Sequence, residues 1–180
     1  MKKKFDYILI VVVCMLIAID LIGQKNVYTY LLRLYNGTEV LKKDYSVELP
    51  SNWAIRGNYE NNQSTRIVGH LSDGSDTNIF LIDLYEYGFA QKNLLTKWTQ
   101  CDHQSWYPIE TTEGKKLALF LCTFDFNTTT EQNPSLTLND ADGYIIAAAH
   151  DWKPYYNEEY LDVFKSIKFN KNSTIKEISK

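Results

Sequence analysis

The sequence predicts an α+β fold, in which an N-terminal transmembrane helix precedes a mostly antiparallel sheet packed with two helices. The first observation is that the chain opens with three lysines and an apolar run over residues 7–23 that only Asp20 interrupts. The second is the aromatic content of the 180-residue chain, with 13 Tyr, 8 Phe and 4 Trp, because aromatic and β-branched residues favour strands. The third is a series of strand-like segments joined in pairs by glycine-containing turns.

The apolar run is predicted to anchor the protein in a membrane, since about 20 helical residues cross the hydrocarbon core of a bilayer. Lysines before such a run favour a cytoplasmic N-terminus. We therefore expect residues 1–24 to form the anchor and residues 25–43 a juxtamembrane stalk. The rest of the chain is then extracytoplasmic, either periplasmic or at the cell surface.

Two other interpretations of the run stay open. A cleaved signal peptide needs small residues two apart at its cleavage site, and Asp20 and Leu21 interrupt that pattern. A lipid-modified Cys14 lacks the small residue that normally precedes such a cysteine. An uncleaved anchor fits the residues better than either alternative.

The charge balance excludes nucleic acid as a partner. The chain carries 19 Lys and Arg against 22 Asp and Glu, a net charge of −3. Nucleic-acid binding relies on clustered Lys and Arg. The expected partners are instead the membrane, through residues 7–23, and a protein of the cell envelope.

The stalk is predicted to be helical, because its apolar residues recur at helical spacing and an Asn-Gly pair then ends the helix. These residues are Val27, Tyr30, Leu31 and Leu34, followed by Asn36 and Gly37. Residues 45–49 alternate between apolar and polar side chains, which predicts a half-buried strand that Pro50 ends.

Three hairpins are predicted next, each with an Asp-Gly or Glu-Gly turn. They join residues 66–71 to 77–87, residues 107–112 to 115–126, and residues 136–138 to 144–149. The segment 115–126 is apolar on both faces, which predicts a central strand that is covered on both sides.

Two helices are predicted to pack on this sheet. Residues 89–100 form a short amphipathic pattern. A second set recurs at helical spacing, with Asn157 as a candidate helix cap: Tyr156, Tyr160, Val163, Phe164 and Ile167. Residues 166–170 are predicted to return to the sheet as a last strand. Together these elements predict one extracytoplasmic α+β domain over residues 44–170, followed by a flexible polar tail over residues 171–180.

Two segments of this domain resemble a known superfamily. Residues 45–53 (YSVELPSNW) and residues 160–169 (YLDVFKSIKF), with hairpins and a helix between them, look like the PsbP-like and DcrB-type extracytoplasmic domains. The resemblance covers residues 44–170. It implies a small sandwich that binds or stabilises partner proteins and usually lacks catalysis, and it carries over no functional residue.

Cys101 and Cys122 are predicted to form a disulfide, because the anchor places both in an oxidising compartment. Closing a loop of this size stabilises a fold by about 3 kcal/mol. Alternatively, Cys122 is a buried free thiol beside Phe120 and Phe124. A nucleophilic Cys101 assisted by His103 needs a lowered thiol pKa and a third orienting group, and the sequence shows neither.

No metal, cofactor or catalytic site is predicted. The residues with ligand chemistry are scattered along the chain: His70, Cys101, Asp102, His103 and His150. None of their spacings matches the paired-ligand pattern of a zinc site. Residues 139–143 look like a calcium loop, but an aligned glycine puts Leu138 and Ala149 at ligand positions, so a hairpin turn explains them better.

Aromatic residues near the strand ends are the candidate interface. They are Trp106, Tyr107, Trp152, Tyr155 and Tyr156, and Tyr and Trp are favoured anchors of protein interfaces, although they also pack over the open end of a sheet. We therefore expect a non-catalytic accessory or protein-interaction module of the cell envelope. The alternatives are a ligand-binding domain with an apolar pocket and, third, an envelope hydrolase.

Overall fold

The computed structural model describes residues 7–8, 10–17, 24–70, 79–90, 101–123, 135–150 and 157–179. Its helices and strands, in chain order, are α1 (Gln24–Asn36), β1 (Glu39–Leu41), β2 (Tyr45–Glu48), β3 (Trp53–Tyr59), β4 (Ser64–His70), β5 (Ile79–Tyr85), β6 (His103–Glu110), β7 (Lys116–Thr123), β8 (Ser135–Asn139), β9 (Ile145–His150), α2 (Asn157–Lys165) and β10 (Ile167–Phe169). Seven strands form one sheet in the order β3-β4-β5-β9-β8-β7-β6, and β1-β2-β10 form a second sheet.

The predicted α+β class is wrong, because the protein is mostly β. Strands account for 44% of the structure and helices for 23%. The predicted last strand is confirmed as β10, which pairs with β2, but these two strands and β1 form a separate small sheet instead of belonging to a single one. Residues 91–100 of the predicted amphipathic helix lie outside the described residues, and Phe89 and Ala90 belong to a turn.

The transmembrane helix in the predicted fold class is also contradicted. Within the described ranges, no helix is both long enough and apolar enough to cross a membrane.

The three predicted hairpins are confirmed as β4–β5, β6–β7 and β8–β9. Gly114 lies in the turn of the second hairpin and Gly143 in the turn of the third, both with φ 81°. Glycine adopts this left-handed conformation without steric cost. The turn of the first lies outside the described residues. Strand β7 is covered on both faces as predicted, but β9 is the middle strand of the large sheet.

Strand β3 was not predicted from the sequence. It pairs with β4 across a turn in which Glu60, Asn61 and Asn62 have φ between 52° and 69°. A register shift between Ile55 and Gly57 breaks the apolar-polar alternation, which is the signal by which a strand is recognised.

The main core lies between the large sheet, the small sheet and α2. Trp53 on β3, Phe80 on β5 and Tyr160 on α2 contact one another there, with ring centroids 5.3–6.3 Å apart. The helical spacing predicted for α2 is confirmed for Tyr160, Val163 and Phe164, which are fully buried. Ile167 of the same set belongs to β10, and Tyr156 lies outside the described residues. A smaller apolar cluster on the opposite face of the large sheet contains Phe120 and Cys122.

The segment predicted as a flexible tail packs against the domain as far as Ile178. Ile175 is buried, and the Ile178 N–H donates to the Lys116 carbonyl at 2.9 Å. The Thr174 N–H and hydroxyl both donate to the Asp44 carboxylate, at 2.7 and 2.8 Å. Polar residues of this segment make hydrogen bonds to the domain. From composition alone, such residues look the same as residues that are hydrated in a flexible tail.

Candidate functional site: the exposed surface of strand β6

Strand β6 is the candidate site because it lies at one end of the large sheet and exposes both of its faces. In the described part of the sheet its neighbour is β7, and of its 8 residues only Ile109 is buried. A sheet edge is a natural place for another chain to bind. We call the exposed side chains of His103, Gln104, Trp106, Tyr107, Pro108 and Glu110 the β6 surface.

Trp106 and Tyr107 are the aromatic residues of the β6 surface, exposed by 55% and 51%. As neighbours in a strand they point to opposite faces. The Trp106 ring packs on Phe120 of β7, with centroids 4.5 Å apart. The exposure expected of Trp106 is therefore observed, whereas residues 152, 155 and 156 of the predicted interface lie outside the described residues.

A disulfide between Cys101 and Cys122 holds the start of β6, as predicted. Their Cα atoms are 5.6 Å apart, within the usual range for this bond. The alternative of a buried free thiol is wrong, because the two sulfurs are bonded to each other. A nucleophilic Cys101 is wrong for the same reason, since a disulfide sulfur has no thiol proton to lose.

The turn at the other end of β6 is also held in place. The Thr112 N–H donates to the Lys165 carbonyl at 2.9 Å, and the Glu113 carboxylate accepts the Phe169 N–H at 3.2 Å. The Lys115 ammonium lies 4.1 Å from the centroid of the Phe169 ring. Both ends of β6 are therefore bonded to neighbouring elements, which should limit the movement of its backbone.

The face of the sheet that carries Trp106 also carries a half-buried ion pair. Arg66 donates to both carboxylate oxygens of Asp83 at 2.7 and 2.8 Å, and its guanidinium lies 5.4 Å from the Tyr59 ring centroid. The hydrogen bond to Asp83 raises the pKa of Arg66. The pair joins β4 to β5 across this face of the sheet.

The Asp140 carboxylate accepts four hydrogen bonds from the protein, in the segment whose sequence looks like a calcium loop. One carboxylate oxygen accepts the N–H groups of Asp142 and Tyr144 at 3.1 and 2.8 Å. The other accepts the Tyr87 hydroxyl at 2.8 Å and the Lys176 N–H at 3.4 Å. Burial, together with this hydrogen bond, raises the pKa of Tyr87. The oxygens close a hairpin turn, as the sequence predicted.

The described residues contain no group of three or more His, Cys, Asp or Glu side chains placed to hold a metal. Two clefts of about 300 and 310 Å³ are present. The second is lined in part by Asn36, Glu39, Asn58 and Thr65. Both volumes lie at the lower end of the usual range for ligand pockets, and the first cleft, lined in part by Leu49 and Pro50, has the more apolar lining.

Helix α1 presents a second surface that was not predicted from the sequence. Its side chains Thr29, Arg33 and Asn36 face the domain, whereas Tyr28, Tyr30, Leu31, Leu34 and Tyr35 are exposed. The signal was present in the spacing of Thr29, Arg33 and Asn36, which places them on one side of a helix. The spacing of the apolar residues alone predicted a stalk.

Comparison of the chain with models of protein families, with curated proteins and with solved structures finds no match. The residues and geometry described above are therefore the basis for any functional proposal.

Proposed function

We propose that this protein is a non-catalytic interaction module that holds a partner protein through the β6 surface. The observation that supports this most directly is Trp106, a half-exposed aromatic ring supported from below by Phe120. Trp and Tyr dominate the residues that contribute most to protein binding. Two such rings on an edge strand form the kind of anchor that an interaction domain needs.

The bonding of both ends of β6 supports the same proposal. Binding loses free energy when loops and side chains become ordered, by about 0.5–1.5 kcal/mol for each immobilised side chain. The disulfide at Cys101 and the docked turn at Glu113 order this strand before a partner arrives. A partner therefore meets a surface whose backbone does not have to rearrange.

We also propose an extracytoplasmic location, for which the Cys101–Cys122 disulfide is the support. Structural disulfides persist in oxidising compartments and are rare in the cytosol. This location and an accessory role agree with what the PsbP-like resemblance implies.

The test compares Trp106→Ala with Tyr59→Ala, an exposed aromatic on β3 at the opposite end of the sheet. A partner is first identified by crosslinking in native extracts, and its Kd is then measured for each variant. Trp106→Ala should weaken binding by about thirtyfold or more, as truncated anchor residues do, while Tyr59→Ala should bind like the parent. Equal binding by the parent and Trp106→Ala would reject the β6 surface as the interface.

A further inference from the structure

Helix α1 docks on the domain through polar side chains. Thr29 is buried at 5% exposure. The Arg33 guanidinium donates from one nitrogen to the carbonyls of Pro50 and Trp53, both at 2.7 Å, and the Asn36 amide donates to the Ile55 carbonyl at 2.8 Å. These bonds fix which side of the helix faces the sheet. A helix on the surface of a soluble domain normally packs with the opposite polarity.

The outward side of α1 is therefore apolar. Its members are Tyr28, Tyr30, Leu31, Leu34 and Tyr35, exposed by 52%, 61%, 56%, 66% and 90%. At about 100° per residue these side chains cover roughly 160° of the helix circumference. No charged residue falls within that arc. We call these five residues the outer face of α1.

We propose that the outer face of α1 lies in the interfacial layer of a lipid bilayer. The first support is continuity along the chain, because residues 7–8 and 10–17, which precede α1, are helical and expose apolar side chains. The apolar run ends at Gly23, directly before α1 begins at Gln24. The strongest apolar segment of the chain thus leads into the outer face.

The composition of the outer face also fits lipid better than a second protein. Three of its five side chains are tyrosines, which are enriched where a bilayer meets water because the ring is apolar and the hydroxyl stays hydrated. A helix paired with another copy presents a narrower apolar seam flanked by charges. An uncharged arc of roughly 160° suits the headgroup and acyl boundary, where such helices sink by about 5–10 Å.

This inference concerns α1 and is independent of the β6 surface. Because α1 packs on β3 and β6 lies at the other end of the sheet, about six strand spacings or roughly 29 Å separate the two. A bilayer against α1 would leave the β6 surface open to a partner.

The experiment uses the full chain with Cys14→Ser, bound to phosphatidylcholine vesicles that carry a spin-labelled quenching lipid. An environment-sensitive fluorophore is attached at Leu31→Cys on the outer face. The control carries the same fluorophore at Glu110→Cys on β6. Both native side chains are exposed. The emission of the label at position 31 should shift to shorter wavelength and lose most of its intensity. The emission of the label at position 110 should keep its wavelength and intensity. Adding Leu34→Glu should reduce the quenching at position 31 and leave the melting temperature unchanged.

An unquenched label at position 31 on vesicle-bound protein would overturn the proposal. Sedimentation of the same protein without lipid then shows whether it forms a dimer. A dimer held through the outer face would also overturn the proposal. Quenching confined to position 31 supports it.

Discussion

The indole ring of Trp106 lies against the phenyl ring of Phe120 across strands β6 and β7, with the two planes at 47°. Trp106 is 55% exposed, whereas Phe120 is 2% exposed. The contact therefore joins a surface ring to a buried one, and its two members should differ in what they contribute to stability.

Truncating each member separately tests this difference. Phe120→Ala should lower the free energy of unfolding by about 3–5 kcal/mol, because it opens a cavity in a packed cluster. Trp106→Ala should cost only about 0.5–1.5 kcal/mol, the value of an aromatic pair. Urea denaturation of both variants measures the two losses, and equal losses would contradict the structure.

The disulfide predicts a definite pattern of thiol labelling. The chain has 3 cysteines, of which Cys14 is free and exposed while Cys101 and Cys122 are bonded. An alkylating mass label should add once before reduction and three times after reduction in denaturant. Replacing Cys101 and Cys122 together by Ala should lower stability by about 3 kcal/mol, through the freedom that the unfolded chain regains. Labelling at all three positions in the untreated protein would show that the bond is absent.

Gly69 is required by the Trp53 ring that covers it. A Cβ at this position would lie 2.5 Å from two ring carbons of Trp53, and that side chain is fully buried. Gly69→Ala should therefore destabilise the fold by about 1–3 kcal/mol, as overpacking does.

The matched control is Gly57→Ala on the neighbouring strand, where the nearest atoms to an added Cβ belong to Tyr59 at 3.7 Å. This substitution should change the unfolding free energy by less than about 0.5 kcal/mol. A similar loss for both glycines would mean that strand propensity, rather than the Trp53 contact, sets the cost.

Local signals predicted the parts of the fold that depend on neighbouring residues. The turns at Gly114 and Gly143, the end of α1 before Gly37 and the buried side of α2 all follow from short spacings. The disulfide pairing was predicted from the oxidising compartment that the apolar run indicated for Cys101 and Cys122.

Long-range pairing was not predictable in the same way. Strand β10 pairs with β2 through Ile167 and Val47, which are 120 residues apart in the chain, in a small sheet separate from the large one. Period alone does not say which strands share a sheet. The docking of α1 depends on carbonyl groups near the start of β3, which every sequence possesses. The β6 surface was predicted in part, since Trp106 and Tyr107 were named but the edge position of their strand was not.

Tyr45 predicts a loss of stability at alkaline pH. Its fully buried hydroxyl donates to the carbonyls of Tyr85 and Ile146 at 2.8 and 3.1 Å. Burial, with the nearby Glu86, raises the pKa of Tyr45. Above pH about 10 the tyrosine of the unfolded chain ionises while that of the folded chain stays neutral. The folded state then binds more protons, so stability is present below that pH and falls as the pH rises.

Thermal unfolding as a function of pH measures this effect. Tyr45→Phe should cost about 1–3 kcal/mol at neutral pH, because two buried carbonyls lose a donor, yet it should flatten the alkaline loss. Tyr35→Phe, at a residue that is 90% exposed, should change neither quantity. An unchanged alkaline slope in Tyr45→Phe would show that another group governs it.

Arg33 controls the orientation of α1. One of its guanidinium nitrogens lies within 3.3 Å of the carbonyls of Leu49, Pro50 and Trp53, at the point where the chain enters β3. Arg33→Ala removes this donor, and charged hydrogen bonds contribute about 1.5–3 kcal/mol each when buried. Because Arg33 is only partly buried and water can replace it, we expect a total loss of about 1–3 kcal/mol.

The loss should be local, which hydrogen exchange can show. Amides of α1 should exchange faster in Arg33→Ala, while those of the main core, such as Ile82 and Leu138, keep the protection of the parent. Arg56→Ala, at an exposed position on β3, is the matched control and should leave α1 unchanged. If α1 amides exchange at the parental rate without Arg33, then other contacts hold the helix. In that case the polar docking no longer explains why Tyr28, Leu31 and Tyr35 face outward.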